Sequence, residues 1–394
     1  MSPKPSVLRR LAVKIVLPGL VTLSLMSAVS GAESVSIDGE NSPRGPTSLV
    51  LDSAGNPRII YYHGALKFAA CSDPRCRTPP TLRTLDGKGM AGQFNSMVLD
   101  SAGNPRISFS NPFDGGVRFV LCTDPSCGGF ALQSLVDNES VWLANSLVLD
   151  AGNRPRVGYR QVGALMIAIC TDSACSSPPL TRLLDNQCVV GASNSMVLNS
   201  AGNPVLSYYD STNNRLKLAV CPDSTCSGTP TIRFLNPAGG GGTWPSMALD
   251  SAGNPRIGFM DGNNNDLKLA VCSDSTCSTT PTIRTLDSVG DAGNDISLVL
   301  NSAGNPLISY YDETNDRLKL AICSDPTCSA APIIRNLNAV GEGGEGSSLV
   351  LDSAGNPRIS YSDEDAYSVK LLICDDPGCV ASSSHIVFAH GFEN

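Results

Sequence analysis

The sequence predicts an all-β fold, a seven-bladed β-propeller of four-stranded antiparallel blades, and three observations carry that prediction. A turn ending in proline recurs at Pro57, Pro105, Pro155, Pro204, Pro255, Pro306 and Pro357, at spacings of 48, 50, 49, 51, 51 and 51 residues. A Cys-x4-Cys pair recurs in step with it through all seven copies. Between these anchors, apolar residues alternate with period two in short runs rich in Val, Ile, Tyr and Thr. A fixed period of about fifty residues marks an array, and four short strands per repeat is the layout of a propeller blade. The same alternation excludes helical solenoids.

The chain opens on Lys4, Arg9, Arg10 and Lys14, followed by an apolar run over 15–29 that Pro18-Gly19 interrupts, and then by Ser30-Gly31-Ala32. This order is that of a secretory signal peptide spanning residues 1–32. A membrane anchor needs ~20 continuous apolar residues, so no span is expected in the mature chain. No cysteine follows the run to carry a lipid. Without residues 1–32, which hold four basic and no acidic groups, the chain keeps 24 Lys+Arg against 36 Asp+Glu, a net charge of −12. That balance excludes nucleic acid and anionic membrane surfaces as partners. The expected location is exported, periplasmic or extracellular, and the expected state is a monomer.

Residues 33–47 follow as a closing strand and linker. Ser34–Asp38 precedes the first copy at the spacing with which Thr84–Asp86 precedes the second, so it reads as a stray fourth strand. Pairing it into the last blade fastens the ring and covers an edge. The last copy carries its own candidate fourth strand at Ser384–Phe388, and the sequence leaves open which strand closes the ring. Residues 48–388 form the propeller and 389–394 a tail.

Within one copy the strands read as Ser297–Leu300, Leu307–Asp312, Arg317–Ser324 and Ile333–Leu337, with turn chemistry over Asn301–Pro306. In the second strand, Ile59, Ile107, Val157, Leu206, Ile257, Ile308 and Ile359 recur, and two residues on stand Tyr61, Phe109, Tyr159, Tyr208, Phe259, Tyr310 and Tyr361. The residue between is mostly Ser or Gly, so one face is bulky and the other small, which lets blades nest. Aromatics make up 5% of the chain, and one in each copy at this position reads as a core anchor.

The Asp-Ser-Ala-Gly-Asn-Pro turn invites a calcium reading, but Asn199 and Asn301 replace its Asp in two copies. A turn tolerates that exchange better than a carboxylate cage does. The pairs Cys71-Cys76, Cys122-Cys127, Cys170-Cys175, Cys221-Cys226, Cys272-Cys277, Cys323-Cys328 and Cys374-Cys379 read as disulfides that clip one hairpin per blade. Each closes a small loop and adds about 2 kcal/mol. Zinc favours shorter spacing with His nearby, and His63, His385 and His390 are the only histidines, so neither metal nor cofactor is expected. Cys188 is left unpaired, as a free thiol or an intermolecular bridge.

Binding residues are sought in the loops between second and third strands, where Asp210, Asn213, Asp261, Asn263, Asp312 and Asn315 lie. Up-and-down geometry puts these loops on one rim with the Gly-rich inter-blade connectors (Gly239–Gly242 and Gly341–Gly346), which carry Trp142 and Trp244. Asp and Asn are also ordinary hairpin-turn residues, and that plainer reading stands beside the functional one. No catalytic residue is assigned, because no His recurs at hydrolase spacing with Ser or Cys, and no phosphate loop or zinc helix occurs.

The pattern S-x-V-L-D-S-A-G-N-P-x-I-S-Y-Y-D-x-x-N-x-x-L-K-L-A resembles the repeats of secreted bacterial β-propellers grouped with sialidase-type (BNR) repeats. It is similar in layout to NHL repeats. The resemblance covers Ser34 to about Cys379 and implies the fold rather than an activity. Sialidase Asp-boxes read S-x-D-x-G-x-T-W, from which these turns depart. The arginine triad and Tyr/Glu nucleophile of sialidases have no matching positions. Arg58, Arg106, Arg156, Arg256 and Arg358 repeat by blade symmetry, which is scaffold behaviour. The tail Ile386–Asn394 resembles Gly-Phe-Glu endings of other exported bacterial proteins.

The functional expectation is an exported binding or scaffold propeller with several similar shallow sites on one rim, directed at surface glycans or an envelope protein. Multivalent ligands would suit such sites. The alternative is a glycosidase or lyase using carboxylates near the central channel. The third copy, with Arg154, Arg160 and Gln161, diverges most but assembles no acid pair.

Overall fold

The computed structural model describes residues 32–39, 45–88, 91–110, 116–136, 146–236 and 239–380. The expected signal segment, Trp142, the Ser384–Phe388 candidate strand and the tail lie outside the described residues. Every named element is a strand, and the strands form seven antiparallel sheets of four. Each sheet is one copy of the repeat and forms one blade, numbered here in chain order. In blade 6 the strands are Ala292–Leu300, Pro306–Asp312, Arg317–Ile322 and Ile333–Asn336. The first starts earlier than its alternation predicts, because a bulge between Ala292 and Ser297 shifts the register and breaks the period-two pattern. Among the described residues, no helix is long and apolar enough to cross a membrane.

A closing strand, Ala32–Asp38, supplies the outermost strand of blade 7, antiparallel to Ser368–Cys374. Tyr61 of blade 1 donates its hydroxyl to Asp38 Oδ2 at 2.8 Å, and Arg75 of blade 1 reaches Glu33 at 2.9 Å and Asp375 at 2.6 Å. The two ends of the repeat array therefore meet at one seam.

The core lies between blades, in seven clusters, one per junction. Between blades 1 and 2, Ile60, Leu66 and Phe68 pack on Met97, Ile107, Phe109 and Val120. Between blades 7 and 1, Ile37 joins Val369, Leu371 and Ile373 against Leu49, Ile59 and Tyr61. The recurrent aromatics are core anchors: Tyr61, Phe109, Tyr159, Tyr208, Phe259, Tyr310 and Tyr361 are at most 1% exposed. Burial pushes the Tyr159 phenol up to about 12.

The opposite rim is built from the proline turns and the disulfide loops. All seven expected disulfides are present. In the turns, Asp52 Oδ1 accepts the N–H groups of Ala54 and Asn56, and Gly55 takes φ +80°. In blade 3 the same place is held by Asn153 at φ +58°, a conformation asparagine tolerates. The repeated arginines clamp this rim. Arg58, Arg106, Arg156, Arg256 and Arg358 each pair with the turn Asp of their own blade at 2.6–2.8 Å. Each also donates to the carbonyl of the first cysteine in the pair. Arg58 and Arg256 reach on to Pro125 and Pro326 in the next blade. The two copies with Asn199 and Asn301 are those in which Val205 and Leu307 replace the arginine. Without the buried cation, no carboxylate is required to balance it.

Candidate functional site

The loop residues singled out from sequence are placed as follows. Asp210, Asp261 and Asp312 are buried, at 0%, 3% and 0% exposure. Each faces a lysine of the third strand. Lys217 bridges Asp210 at 3.0 Å and Asp185 of the preceding blade at 2.9 Å, and Lys319 bridges Asp312 at 2.8 Å and Asp287 at 3.0 Å. Lys268 pairs with Asp261. Tyr208 and Tyr310 donate to Asp185 and Asp287 at 2.7 and 2.6 Å. Burial acts to raise the Asp210 and Asp312 carboxyls, but the Asn and Lys hydrogen bonds outweigh it and hold both below the ordinary range. Asn213 and Asn315 donate backbone and side-chain N–H to those carboxylates. Asn263 N–H donates to Asp261, and its side-chain oxygen accepts from Asn214. These six residues hold turns and blade junctions in place. Cys188 is exposed and unpaired, with the Asn213 amide 3.5 Å from its sulfur.

Around the axis the structure shows a feature that sequence reading passed over. A serine stands nine residues before the proline in every copy: Ser48, Ser96, Ser146, Ser195, Ser246, Ser297 and Ser348. The first strand of each blade is a sheet edge with outward N–H groups that need partners. Each serine Oγ accepts one of them from the next blade. Met97 donates to Ser48, Leu147 to Ser96, Met196 to Ser146, Met247 to Ser195, Leu298 to Ser246, Leu349 to Ser297 and Leu49 to Ser348, all at 2.9–3.1 Å. The circle of bonds runs unbroken across the seam. A hydroxyl that accepts an N–H keeps its own proton for donation, and all seven serines line the axial channel.

The channel encloses about 530 Å³. Its mouth differs from blade to blade. Two residues before six of the seven ring serines stand Pro46, Phe94, Ser193, Trp244, Asp295 and Gly346, and all six line the cavity. In blades 4 to 7 the first strand bulges here, and Ser193, Trp244, Asp295 and Gly346 adopt φ of +81°, +53°, +49° and +59°. A left-handed conformation costs a non-glycine residue roughly 1–2 kcal/mol, so the bulge holds Trp244 and Asp295 at some expense of stability. Trp244 is 37% exposed. Asp295 is the one carboxylate, and no Lys or Arg is present, among the described residues lining the cavity. Its Oδ2 accepts the Gly346 N–H at 2.8 Å. Burial pushes its carboxyl up, the Gly346 bond opposes this, and Glu313 adds to the rise. Of the binding residues singled out from sequence, Trp244 lines this channel, and Asp210, Asn213, Asp261, Asn263, Asp312 and Asn315 are not among the residues that do. Among the described residues, no cluster of three His, Cys, Asp or Glu is arranged to hold a metal ion.

No protein-family model matches the chain, and no curated protein does. Solved structures do. A Dyadobacter fermentans protein of unknown function superposes with TM-score 0.54 at 12% identity, covering 88% of this chain and 100% of its own. The Dos1 propeller follows with TM-score 0.52 at 11% identity, covering 84% of this chain and 77% of its own. The SapL1 lectin, in complex with alpha methyl fucoside, gives TM-score 0.53 at 12% identity over 77% of this chain and 99% of its own. What they share with this chain is the propeller. Such identities show the fold alone, which is the architecture that the repeat resemblance implied. The channel mouth has to be read from this propeller's own residues.

Proposed function

We propose that the protein is an exported carbohydrate-binding propeller whose axial channel receives the end of a glycan chain. The observation that carries this reading is one cavity lined by a half-exposed indole, a ring of hydroxyl donors and a single carboxylate. A tryptophan face packs on the C–H face of a sugar ring, and hydroxyl donors meet sugar oxygens. The volume of about 530 Å³ falls within the range of small-molecule sites, roughly 300–1,000 Å³. The likeness to a lectin's fold agrees with this use, and the seven disulfides suit an oxidising compartment outside the cytosol. Hydrolysis of a glycoside needs two carboxylates across the bond, and the described lining offers one, which favours binding.

The test is a glycan array with the oxidised protein, followed by calorimetry on the best ligand. Binding at one site per chain that is lost in Trp244→Ala, while the circular dichroism spectrum is kept, supports the axial site. A stoichiometry of several per chain points to the loop rim and the multivalent arrangement. Silence across the array with folded protein overturns the glycan reading and favours an envelope protein as partner.

A further inference from the structure

Resting on the reading of the channel as a glycan site, we infer that its ligand carries a protonated primary amine: a glycan ending in a de-N-acetylated amino sugar. Asp52, Asp100, Asp250 and Asp352 are each matched by an arginine, and Asp210, Asp261, Asp312 and Asp363 each by a lysine. Among the described residues, Asp295 has no such partner. It sits half-buried in the channel wall, its Oδ2 accepts one backbone N–H, and the described lining holds no cation to neutralise it. A partly desolvated carboxylate left without a counter-charge is costly, and an ammonium group arriving on the ligand removes that cost.

The neighbour of Asp295 fits the same ligand. Trp244 occupies the equivalent position in the adjacent blade and lines the same cavity. An indole face attracts both a sugar's C–H face and a nearby cation. The serine ring supplies hydroxyl donors for the ring oxygens of the sugar. The chain's net charge of −8 draws cationic ligands toward it. A neutral N-acetyl group in the same place would leave Asp295 unpaired.

The experiment is titration calorimetry of the oxidised full chain with three tetrasaccharides of equal length: glucosamine, N-acetylglucosamine and glucose oligomers. The expected result is that the glucosamine oligomer binds at least tenfold more tightly than the other two. Asp295→Asn keeps an acceptor for the Gly346 N–H, and is expected to erase that tenfold preference by weakening the amine-bearing oligomer. Raising salt from 50 to 500 mM is expected to weaken the amine-bearing oligomer alone, on the wild-type protein, which gives a readout that does not depend on how the variant folds. Equal affinity for all three, or a preference that survives Asp295→Asn, overturns the inference and leaves the glycan reading standing. No binding of any oligomer, together with silence on the array, removes both.

Discussion

The Asp and Arg of the proline turn form an exchangeable unit, and blade 2 offers the sharpest place to show it. Arg106 and Asp100 meet at 2.6 Å with side chains 9% and 8% exposed, and burial pulls the guanidinium pKa down while Asp100 pulls it back. Asp100→Asn leaves that cation buried without an anion. It keeps the carbonyl bonds to Pro105 and Cys122, so the expected loss is about 3 kcal/mol, the lower end for a broken buried pair. Arg106→Leu leaves a carboxylate still held by the N–H groups of Ala102 and Asn104, and the expected loss is about 2 kcal/mol. The double variant recreates the Asn301 and Leu307 pair of blade 6, where the leucine is 1% exposed in the core. It is expected to cost about 2 kcal/mol, not the sum of about 5, a coupling of about 3 kcal/mol. Guanidinium chloride unfolding of the four proteins, followed by circular dichroism, measures this. A double variant as unstable as the sum of the singles would show that the covariation among blades has another cause.

Three further perturbations test the ring. Ser348→Ala removes the acceptor for Leu49 N–H at the seam; it is expected to cost about 1 kcal/mol, the same as Ser195→Ala, and to speed exchange of the Leu49 amide. Ile37→Ala empties a position that is 4% exposed in the seam cluster; a loss of about 3 kcal/mol is expected, with hydrogen exchange rising first in the closing strand. Burial, together with Glu364 and Asp316, pushes the Glu345 carboxyl up to about 7 against two backbone hydrogen bonds. A raised acid contributes stability that is present below its unfolded value and is lost as pH rises through 7. Glu345→Gln is therefore expected to flatten the fall in stability between pH 5 and 8 by about 1 kcal/mol after solvent screening, which melting temperatures across that window check.

Much of the fold was legible because it is repeated. The proline turn, the cysteine pairs and the second-strand aromatics recur seven times, and repetition makes a weak local signal strong. The arginine clamp was legible too, in that Asn replaces Asp only where Val205 or Leu307 replaces Arg. The loop carboxylates were legible as turn residues but not as blade-junction partners, because the groups they meet come from elsewhere. Lys217 lies opposite Tyr208 across the strand pair, and Asp185 belongs to the previous blade. A hint existed: Asp210, Asp261, Asp312 and Asp363 each come with a lysine in the same copy, Lys217, Lys268, Lys319 and Lys370, although the first copy carries Lys67 with His63 in place of the aspartate. The serine ring was present in the aligned pattern, but a strand serine looks ordinary until seven of them face one axis. The channel mouth was the least visible part. Phe94, Ser193, Trp244 and Asp295 occupy one position in four of the copies and have nothing in common, so comparing copies averages out the individuality that a binding site requires.

The spacing of the disulfides bears on how such a molecule comes to exist. Each cysteine lies five residues from its partner. Along the chain a thiol meets its mate before the next pair begins, so fourteen cysteines can sort themselves by order in the sequence. The circle itself obeys the opposite rule. Ala32 pairs with Cys374, and the earliest strand must wait, uncovered, for the last blade to appear. Bond formation is local to each blade, while closure of the ring awaits the seventh.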